Sequence, residues 1–326
     1  MAVRPSARET DDAGVKLVSA LDRTPPASLY RDSWRRFRRN RFALAGLIYI
    51  AVLVVVAVTA PLIAPYPYDV QDVTAITRRP DSTYLLGTDQ LGRDILSRLI
   101  YGSRVSLLVG VVVQVVIVAI GVPVGLVAGY FGGKIDTLLM RIVDVLYAFP
   151  NLLFVIIIMT YLKAQFQHAT SGLLVPLKSF DRATGGLLGV YIGLGLVSWL
   201  TVSRLVRGQI TSLRNKEFVE AARAIGATDA RIMTRHLLPN TLAVIIVATT
   251  LGLPAAILGE AGISFLGLGV NVPTPSWGSM IADGVSQLRS YPHILLSPAI
   301  ALSLTVLSFN FVGDGLRDAL DPWMKQ

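Results

Sequence analysis

The chain has 326 residues, of which 53% are hydrophobic and only 16% are charged, and its mean hydropathy is +0.59. Soluble domains of this length rarely have such a composition, so an ordinary water-soluble globular protein is excluded. The formal net charge of +9 is typical of nucleic-acid-binding proteins and also of the cytoplasmic loops of membrane proteins, so the position of the charges must decide. The chain contains no cysteine, which excludes disulfides, thiolate catalysis and thiolate metal sites.

The N-terminal part of the chain is polar and strongly basic. Residues 1–27 predict a disordered cytosolic extension, because they are polar and contain few large apolar side chains. Residues 28–41 place Leu29, Trp34 and Phe37 between arginines, which predicts a basic helix at an anionic membrane surface. A nucleic-acid-binding arm is the alternative, but we expect the membrane and no nucleic acid as the partner.

Six apolar runs follow, each long enough to cross a hydrocarbon core of about 30 Å as a helix of about 20 residues. They are approximately Phe42–Ala64, Val105–Tyr130, Thr137–Leu162, Leu187–Val206, Thr241–Leu266 and Ile294–Leu316. Arginines cluster before the first run and around the connection between the fourth and fifth, so the positive-inside rule places both regions in the cytosol. We therefore predict an all-α, multi-pass protein of the plasma (inner) membrane with both termini cytosolic, in which residues 42–326 form one six-helix transmembrane domain.

Small residues mark one face of the second span. Gly121, Gly125 and Gly129 recur every four residues, and Gly189 and Gly193 repeat the spacing in the fourth span. Residues four apart share a helix face, and a face without side chains lets a second helix approach closely. We expect these glycines to be sites of helix packing.

A few prolines and charges lie inside or near the predicted spans. Pro150 and Pro254 each remove a backbone hydrogen bond, which favours a kink. Arg141 and Asp144 are three residues apart and are expected to form an ion pair near the inner interface, with a substrate contact as the alternative. Glu260 lies about 28 Å along its helix from the inner end of the span, so we expect it near the outer surface in a structural role.

The connection before the fifth span has a different character, with the sequence EFVEAARAIGATDARIMTRHLLPN over Glu217–Asn240. Phe218, Ala221, Ala222 and Ile225 recur at helical spacing and predict a short helix with one small, apolar face. Gly226 then stands where a helix ends in a left-handed residue.

A second short helix is predicted to follow this glycine. Thr228 or Asp229 can cap its N-terminus, and Pro239 is expected to break it before the fifth span. Two short helices joined by a glycine turn would protrude into the cytosol. An amphipathic helix of this kind suits a groove in a partner protein, and a helix resting on lipid headgroups is the alternative.

No enzymatic motif is complete. The sequence GYFGGKI over Gly129–Ile135 lacks the first glycine and the hydroxyl residue of a phosphate-binding loop. His168, His236 and His293 have no metal-ligand spacing. We expect no catalytic residue, no cofactor and no metal site in this chain.

Several sequence blocks resemble one family of membrane proteins. Glu220, Ala221 and Ala222, followed by Gly226 and then by Leu238 and Pro239, resemble the EAA loop of ATP-binding-cassette (ABC) importer permeases. The segments LGTDQLGRDILSRLIYGSRVSL, SFLGLG and PTPSWGSM at residues 86–107, 264–269 and 273–280 are similar to the C-type permease of dipeptide and oligopeptide importers. His236 is a departure, since the family usually has an aliphatic residue there.

This resemblance implies a type I ABC importer permease fold. The chain would form half of a translocation pathway for peptides beside a second, homologous permease. It would hydrolyse nothing itself, because two cytosolic ATPase subunits or domains would bind ATP and Mg²⁺, and an extracytoplasmic binding protein would deliver the peptide. Residues of the coupling loop, about 214–240, would transmit ATPase movement: Glu220, Ala221, Ala222, Gly226, Leu238 and Pro239.

Two alternatives stay open. A permease of the same family could carry a nickel chelate, glutathione or haem. A secondary transporter without an ATPase is the second alternative, but it gives the protruding loop no role, and the spans show neither an internal repeat nor many ionisable residues. The charged residues Asp89, Arg93, Asp94 and Arg98 in the first external connection are expected to neutralise one another, with contact to the binding protein as the alternative.

Overall fold

The computed structural model describes residues 29–168 and 174–320, and within those ranges the regular structure is helical, with one isolated bridge between Thr88 and Asp94. The predicted extension over residues 1–27 lies outside the described residues. The helices in chain order are α1 Leu29–Arg39, α2 Arg41–Ile63, α3 Ile95–Phe131, α4 Gly133–Tyr147, α5 Asn151–His168, α6 Leu174–Ala183, α7 Leu188–Leu213, α8 Glu217–Ala224, α9 Asp229–Arg231, α10 Leu238–Phe265, α11 Trp277–Val285 and α12 Pro292–Leu320.

Five helical segments of the described chain are long and apolar enough to cross a membrane, and a bent pair supplies a sixth. The third predicted span, Thr137–Leu162, is sharply bent at Pro150, where a kink was predicted. It consists of α4 and α5, which meet at 86° around Pro150. Pro150 lacks the N–H that would continue α4, and it disfavours helical geometry in the residue before it.

The fifth span begins earlier than predicted. The run Asp229–Phe265 is helical throughout, so the expected break at Pro239 is wrong. A π-helical turn, Ile232–Leu237, precedes the proline, and the Leu238 amide donates to Met233 O. Pro239 follows this turn at the start of α10, so one backbone donor is missing from a run that stays helical. The wider π-helical turn therefore accommodates the proline without ending the helix.

The glycine face of α3 packs against α7. A Cβ on Gly121, Gly125 or Gly129 would lie 2.9, 2.5 and 2.8 Å from the backbone oxygens of Trp199, Ser203 and Arg207, respectively. The residue numbers of the glycines and of their contacts on α7 increase in the same direction, so α3 and α7 run parallel. Each glycine is buried, and backbones at this separation leave no room for a side chain.

The basic helix α1 rests on the end of α12. Phe37 is buried together with Ala43, Val312 and Ala319, and Trp34 stacks on Phe37 with ring centres 5.8 Å apart. The arginines Arg35, Arg38 and Arg39 are exposed. A membrane-surface position for this helix remains a prediction.

One expectation about ionisable groups was wrong. Asp144 pairs with Arg204 of α7, whose Nη2 donates to Asp144 Oδ1 at 2.6 Å, and not with Arg141. Arg141 lies three residues away on the same helix, but the partner is Arg204 on the neighbouring helix. The Arg204 guanidinium also lies 4.2 Å from the Tyr147 ring centre. The cation–π contact adds to the ion pair.

Glu260 lies near the end of α10, and it is fully buried there. Its Oε1 accepts from Ser264 Oγ at 2.5 Å. Depth along the helix was estimated from spacing alone, which ignores what covers the helix. Helix α11 covers it, since a Cβ on Gly278 would lie 2.5 Å from Ala261 Cα.

Candidate functional site

The candidate site is the predicted coupling loop, about residues 214–240, whose central segment Glu217–Pro239 runs from α8 into the first turn of α10. Helix α8 ends in a left-handed turn: Gly226 has φ +80°. The Ala227 amide donates to Ala222 O at 3.0 Å, and the Gly226 amide donates to Arg223 O at 2.9 Å. This pair of bonds is the Schellman motif, which ends a helix on a residue without a Cβ. The predicted glycine turn is present.

The second short helix is also capped as predicted. Thr228 precedes α9, and its Oγ1 accepts from the Arg231 amide at 3.4 Å. The two caps fix the direction of α8 relative to the π-helical turn and α10. Both short helices of the loop are therefore capped by hydrogen bonds within the chain.

One face of the loop is buried against the helical bundle. Val219, Ala222, Ile232 and Leu237 belong to the main hydrophobic cluster. The predicted apolar face of α8 was therefore only partly right, because Ala222 points inward with Val219, which was not assigned to that face. Tertiary packing chose the Val219 side of a helix that has apolar residues on more than one face.

The other residues of the predicted face point outward. Ile225 is 85% exposed, and Phe218 and Ala221 are exposed as well. Glu217 and Glu220, in the first turn of α8, are exposed beside them. An outward strip of apolar side chains bordered by two carboxylates is what a protein-docking helix presents.

Two of the named coupling residues lie beyond this helix. Leu238 is half-buried and Pro239 is exposed at the start of α10. They form the joint between the coupling loop and the fifth span. Because the helical run is continuous through them, a displacement of α9 has a direct covalent and hydrogen-bonded route into α10.

The end of α3 holds the loop in place. Tyr130 donates its hydroxyl to Asp229 Oδ1 at 2.5 Å, and the Arg223 guanidinium lies 5.5 Å from the Tyr130 ring centre. Arg214 Nη1 donates to Gly129 O at 3.1 Å. Sequence reasoning missed Tyr130, and the nearest signal was its place directly after the glycine face.

A further ion pair lies at the same end of the bundle. Arg207 of α7 forms a bidentate pair with Asp136 of α4, in which Nη2 donates to Oδ2 at 2.6 Å. Two parallel bonds to one carboxylate fix orientation as well as distance. Helix α4 is thereby held beside the seam between α3 and α7, close to the loop.

The opposite end of the bundle carries a different set of charges. Asp89, Arg93 and Arg98 are all buried, and Arg93 Nε donates to Asp89 Oδ2 at 2.7 Å. Asp283 of α11 lies at the edge, 3.5 Å from Arg93 Nη2. Burial raises the pKa of the Asp283 carboxyl above its ordinary value, with the two guanidinium groups opposing this. Asp94 caps α3 through the Ser97 amide at 2.8 Å.

Residues 121–326 match the family described as "Binding-protein-dependent transport system inner membrane component". The chain belongs to this family. Residues 28–80 match the "N-terminal TM domain of oligopeptide transport permease C". The chain is therefore a permease subunit of an ABC importer, and the predicted family is confirmed.

Relatives of known name cover most of the chain. The oligopeptide transport system permease protein OppC of Escherichia coli K12 is 41% identical over 90% of this chain and 91% of its own length. The dipeptide transport system permease protein DppC of Bacillus subtilis is 41% identical over 93% and 88%. The glutathione transport system permease protein GsiD of Escherichia coli O6:K15:H31 is 40% identical over 93% and 92%.

A solved structure supports the fold alone. An inward-facing form of the MetNI methionine ABC transporter superposes with a TM-score of 0.52 at 19% identity, covering 69% of this chain and 96% of that chain. This agreement confirms the predicted type I permease fold.

Proposed function

We propose that this chain carries peptides as one half of a heterodimeric permease, and that Glu217–Pro239 couples the helices to a cytosolic ATPase. The observation that carries the coupling proposal is the outward strip of Phe218, Ala221 and Ile225 on α8. An apolar strip on an otherwise polar, protruding loop is unfavourable in water unless a partner covers it.

The partners follow from the family and from the shape of the loop. Two ATPase subunits or domains bind ATP and Mg²⁺ and receive the coupling loops of this chain and of a homologous permease. An extracytoplasmic binding protein delivers the peptide at the end that carries Asp89 and Arg98. Both termini and the coupling loop lie in the cytosol.

Rigid anchoring explains how the loop would transmit force. The loop has little freedom to move relative to the bundle. Val219 and Ala222 are buried, Tyr130 donates a hydrogen bond to Asp229, and the helix continues into α10. Closure of the ATPases would therefore tilt α10 and, through its packing against Gly110 of α3, the α3–α7 pair that the glycine seam joins. A loop attached by flexible residues would dissipate the same displacement.

The coupling role is tested with Ile225→Asp in vesicles that contain the whole complex. Ile225 is 85% exposed, so its replacement leaves the fold intact, but a buried charge without a partner weakens docking by about 2–5 kcal/mol. We expect loss of ATP-driven uptake and of ATPase stimulation by loaded binding protein. Co-purification of the ATPase should fall in parallel.

The matched control is Val73→Asp, an exposed apolar residue at the opposite end. It carries the same chemical change and should leave ATPase co-purification unchanged. Normal coupling in the Ile225→Asp complex would remove the coupling role from α8.

The peptide cargo is tested by competition. Unlabelled dipeptides and oligopeptides should reduce uptake of a labelled peptide, whereas a nickel chelate and haem should not. Glutathione is the second candidate cargo because the GsiD relative is as similar to this chain as the peptide permeases are. Uptake of glutathione without uptake of other peptides would replace the peptide assignment.

The orientation is tested on the natural cysteine-free background. Lys216→Cys and Arg79→Cys introduce single thiols at exposed positions on opposite ends of the bundle. We expect an impermeant reagent to label only Arg79→Cys in sealed cells. Labelling of Lys216→Cys would invert the arrangement.

A further inference from the structure

A cavity of about 320 Å³ lies at the end of the bundle opposite the coupling loop. The buried arginines Arg93 and Arg98 line it, together with Asp283 and the connection between α10 and α11, of which Val272 and Thr274 form part. This connection overlaps two of the sequence blocks that resemble peptide permeases, residues 264–269 and 273–280, and Val272 lies between them. The cavity belongs to neither the coupling loop nor the glycine seam.

Arg98 is an unusual buried cation. It is only 3% exposed, and its Nη1 has no hydrogen-bond partner among the described residues. Its nearest carboxylate oxygens are Asp89 Oδ2 at 3.5 Å from Nε and Asp283 Oδ2 at 3.8 Å from Nη2. A guanidinium has five N–H donors in a fixed geometry, and burying a donor without a hydrogen bond is costly.

Asp283 is a loose partner. Its side chain is 36% exposed, and it approaches both guanidinium groups at 3.5 and 3.8 Å, beyond normal hydrogen-bond length for an ionised pair. Asp89, in contrast, is buried and held at 2.7 Å by Arg93. Asp283 can therefore leave the arginines for solvent, while Asp89 cannot.

We propose that the cavity receives an aspartate or glutamate side chain of the extracytoplasmic binding protein, which displaces Asp283 and forms a bidentate pair with Arg98. The volume is at the lower limit of ligand pockets and suits one side chain rather than a peptide. Val272 at its edge is 86% exposed and Leu91 is also exposed, which gives the incoming carboxylate an apolar surround. The proposal rests on the importer function proposed above.

The exchange of one carboxylate for another keeps the local charge balanced. Arg93 and Arg98 face Asp89 and Asp283 before docking, and Asp89 and the incoming group after it. Asp283, released to the rim, regains hydration. Docking therefore replaces long contacts by short ones without burying an extra charge, which favours a specific partner over a nonspecific anion.

The test measures the dissociation constant of the loaded binding protein from the whole complex in nanodiscs. Val272→Glu places an internal carboxylate at the cavity and should weaken docking about tenfold or more. Val272→Gln introduces a side chain of the same size as glutamate but without its charge, and the dissociation constant should stay near the wild-type value. Asp283→Asn removes the competing carboxylate and should tighten docking about threefold or more.

Opposite signs for the two charge changes separate this proposal from misfolding, which would weaken both. Equal affinities for Val272→Glu and Val272→Gln, or weaker docking for Asp283→Asn, would overturn it. A wild-type complex that fails to bind the binding protein would instead contradict the importer function. A double-mutant cycle between Arg98→Lys and each acidic residue of the docking face should find one strongly coupled partner.

Discussion

The two ends of the bundle both carry charged connections between apolar helices, but they use the charges in opposite ways. At one end, Asp89, Arg93 and Arg98 are buried and face one another. At the other, Glu217 and Glu220 of α8 point outward beside exposed apolar residues. The charges of the first end face one another within the chain, and those of the second end are exposed.

This contrast shows that charge content in a loop does not reveal its role. A buried pair stabilises the fold only as long as both partners remain, since loss of one leaves an uncompensated charge. An exposed carboxylate contributes little to stability and is free to contribute to docking. The consequence is a difference in mutational sensitivity between the two ends.

The largest effect is expected for Asp89→Ala. It removes the carboxylate that Arg93 and Arg98 share in a buried site and should lower the apparent free energy of unfolding by about 3–5 kcal/mol. Thermal unfolding of the purified protein in detergent measures this. Asp144→Ala, which breaks the more exposed pair with Arg204, should cost at most about 1 kcal/mol. Equal losses would erase the contrast.

The next effect concerns the seam that connects the two ends. Gly125→Val places a side chain where Ser203 O lies 2.5 Å from the Cβ position, so α3 and α7 must separate at a cost of about 1–3 kcal/mol. Gly208→Ala on α7 is the control, because nothing lies within 4 Å of its Cβ position. It should stabilise by up to about 1 kcal/mol through helix propensity. Tolerance of Gly125→Val would mean that the seam opens freely.

Sequence patterns predicted the features that depend on neighbouring residues. The apolar runs, the spacing of Gly121, Gly125 and Gly129, the left-handed turn at Gly226 and the cap at Thr228 are all local, and each is present in the structure. Such features arise from backbone geometry and from the helical period, and both can be recognised from the spacing and type of neighbouring residues.

Features set by contacts between distant residues could not be predicted in the same way. The inward face of α8 is chosen by Val219 packing into the bundle, the burial of Glu260 by α11, and the partner of Asp144 by α7. Each depends on a residue more than 15 positions away or on the whole bundle. For the face of α8 and the partner of Asp144, helical spacing led to a prediction from neighbouring residues, and packing against other helices gave a different result.

A smaller effect is expected at the turn of the coupling loop. Gly226→Ala places a Cβ on a residue with φ +80° and should cost about 1–2 kcal/mol, because the strain is conformational and no atom lies within 4 Å. Gly226→Asn should cost less, since asparagine tolerates this conformation. Thermal unfolding and ATPase stimulation should follow the same order, glycine, asparagine, alanine. A neutral Gly226→Ala would show that the turn can relax.

The smallest effect is pH dependence in the connection between α2 and α3. Thr74 donates its hydroxyl to Asp72 at 2.6 Å and thereby lowers the Asp72 pKa, while the Tyr84 amide lowers that of Asp81. A carboxyl whose pKa is lower in the folded state stabilises it above the unfolded pKa, and that stabilisation is lost as the pH falls below about 4. We expect pepsin to cleave the connection faster as the pH falls through this range. Asp81→Asn removes one of the two titrations and should flatten the dependence, because its amide oxygen accepts from Tyr84 at every pH. An unchanged slope in Asp81→Asn would mean that this carboxylate does not hold the connection together.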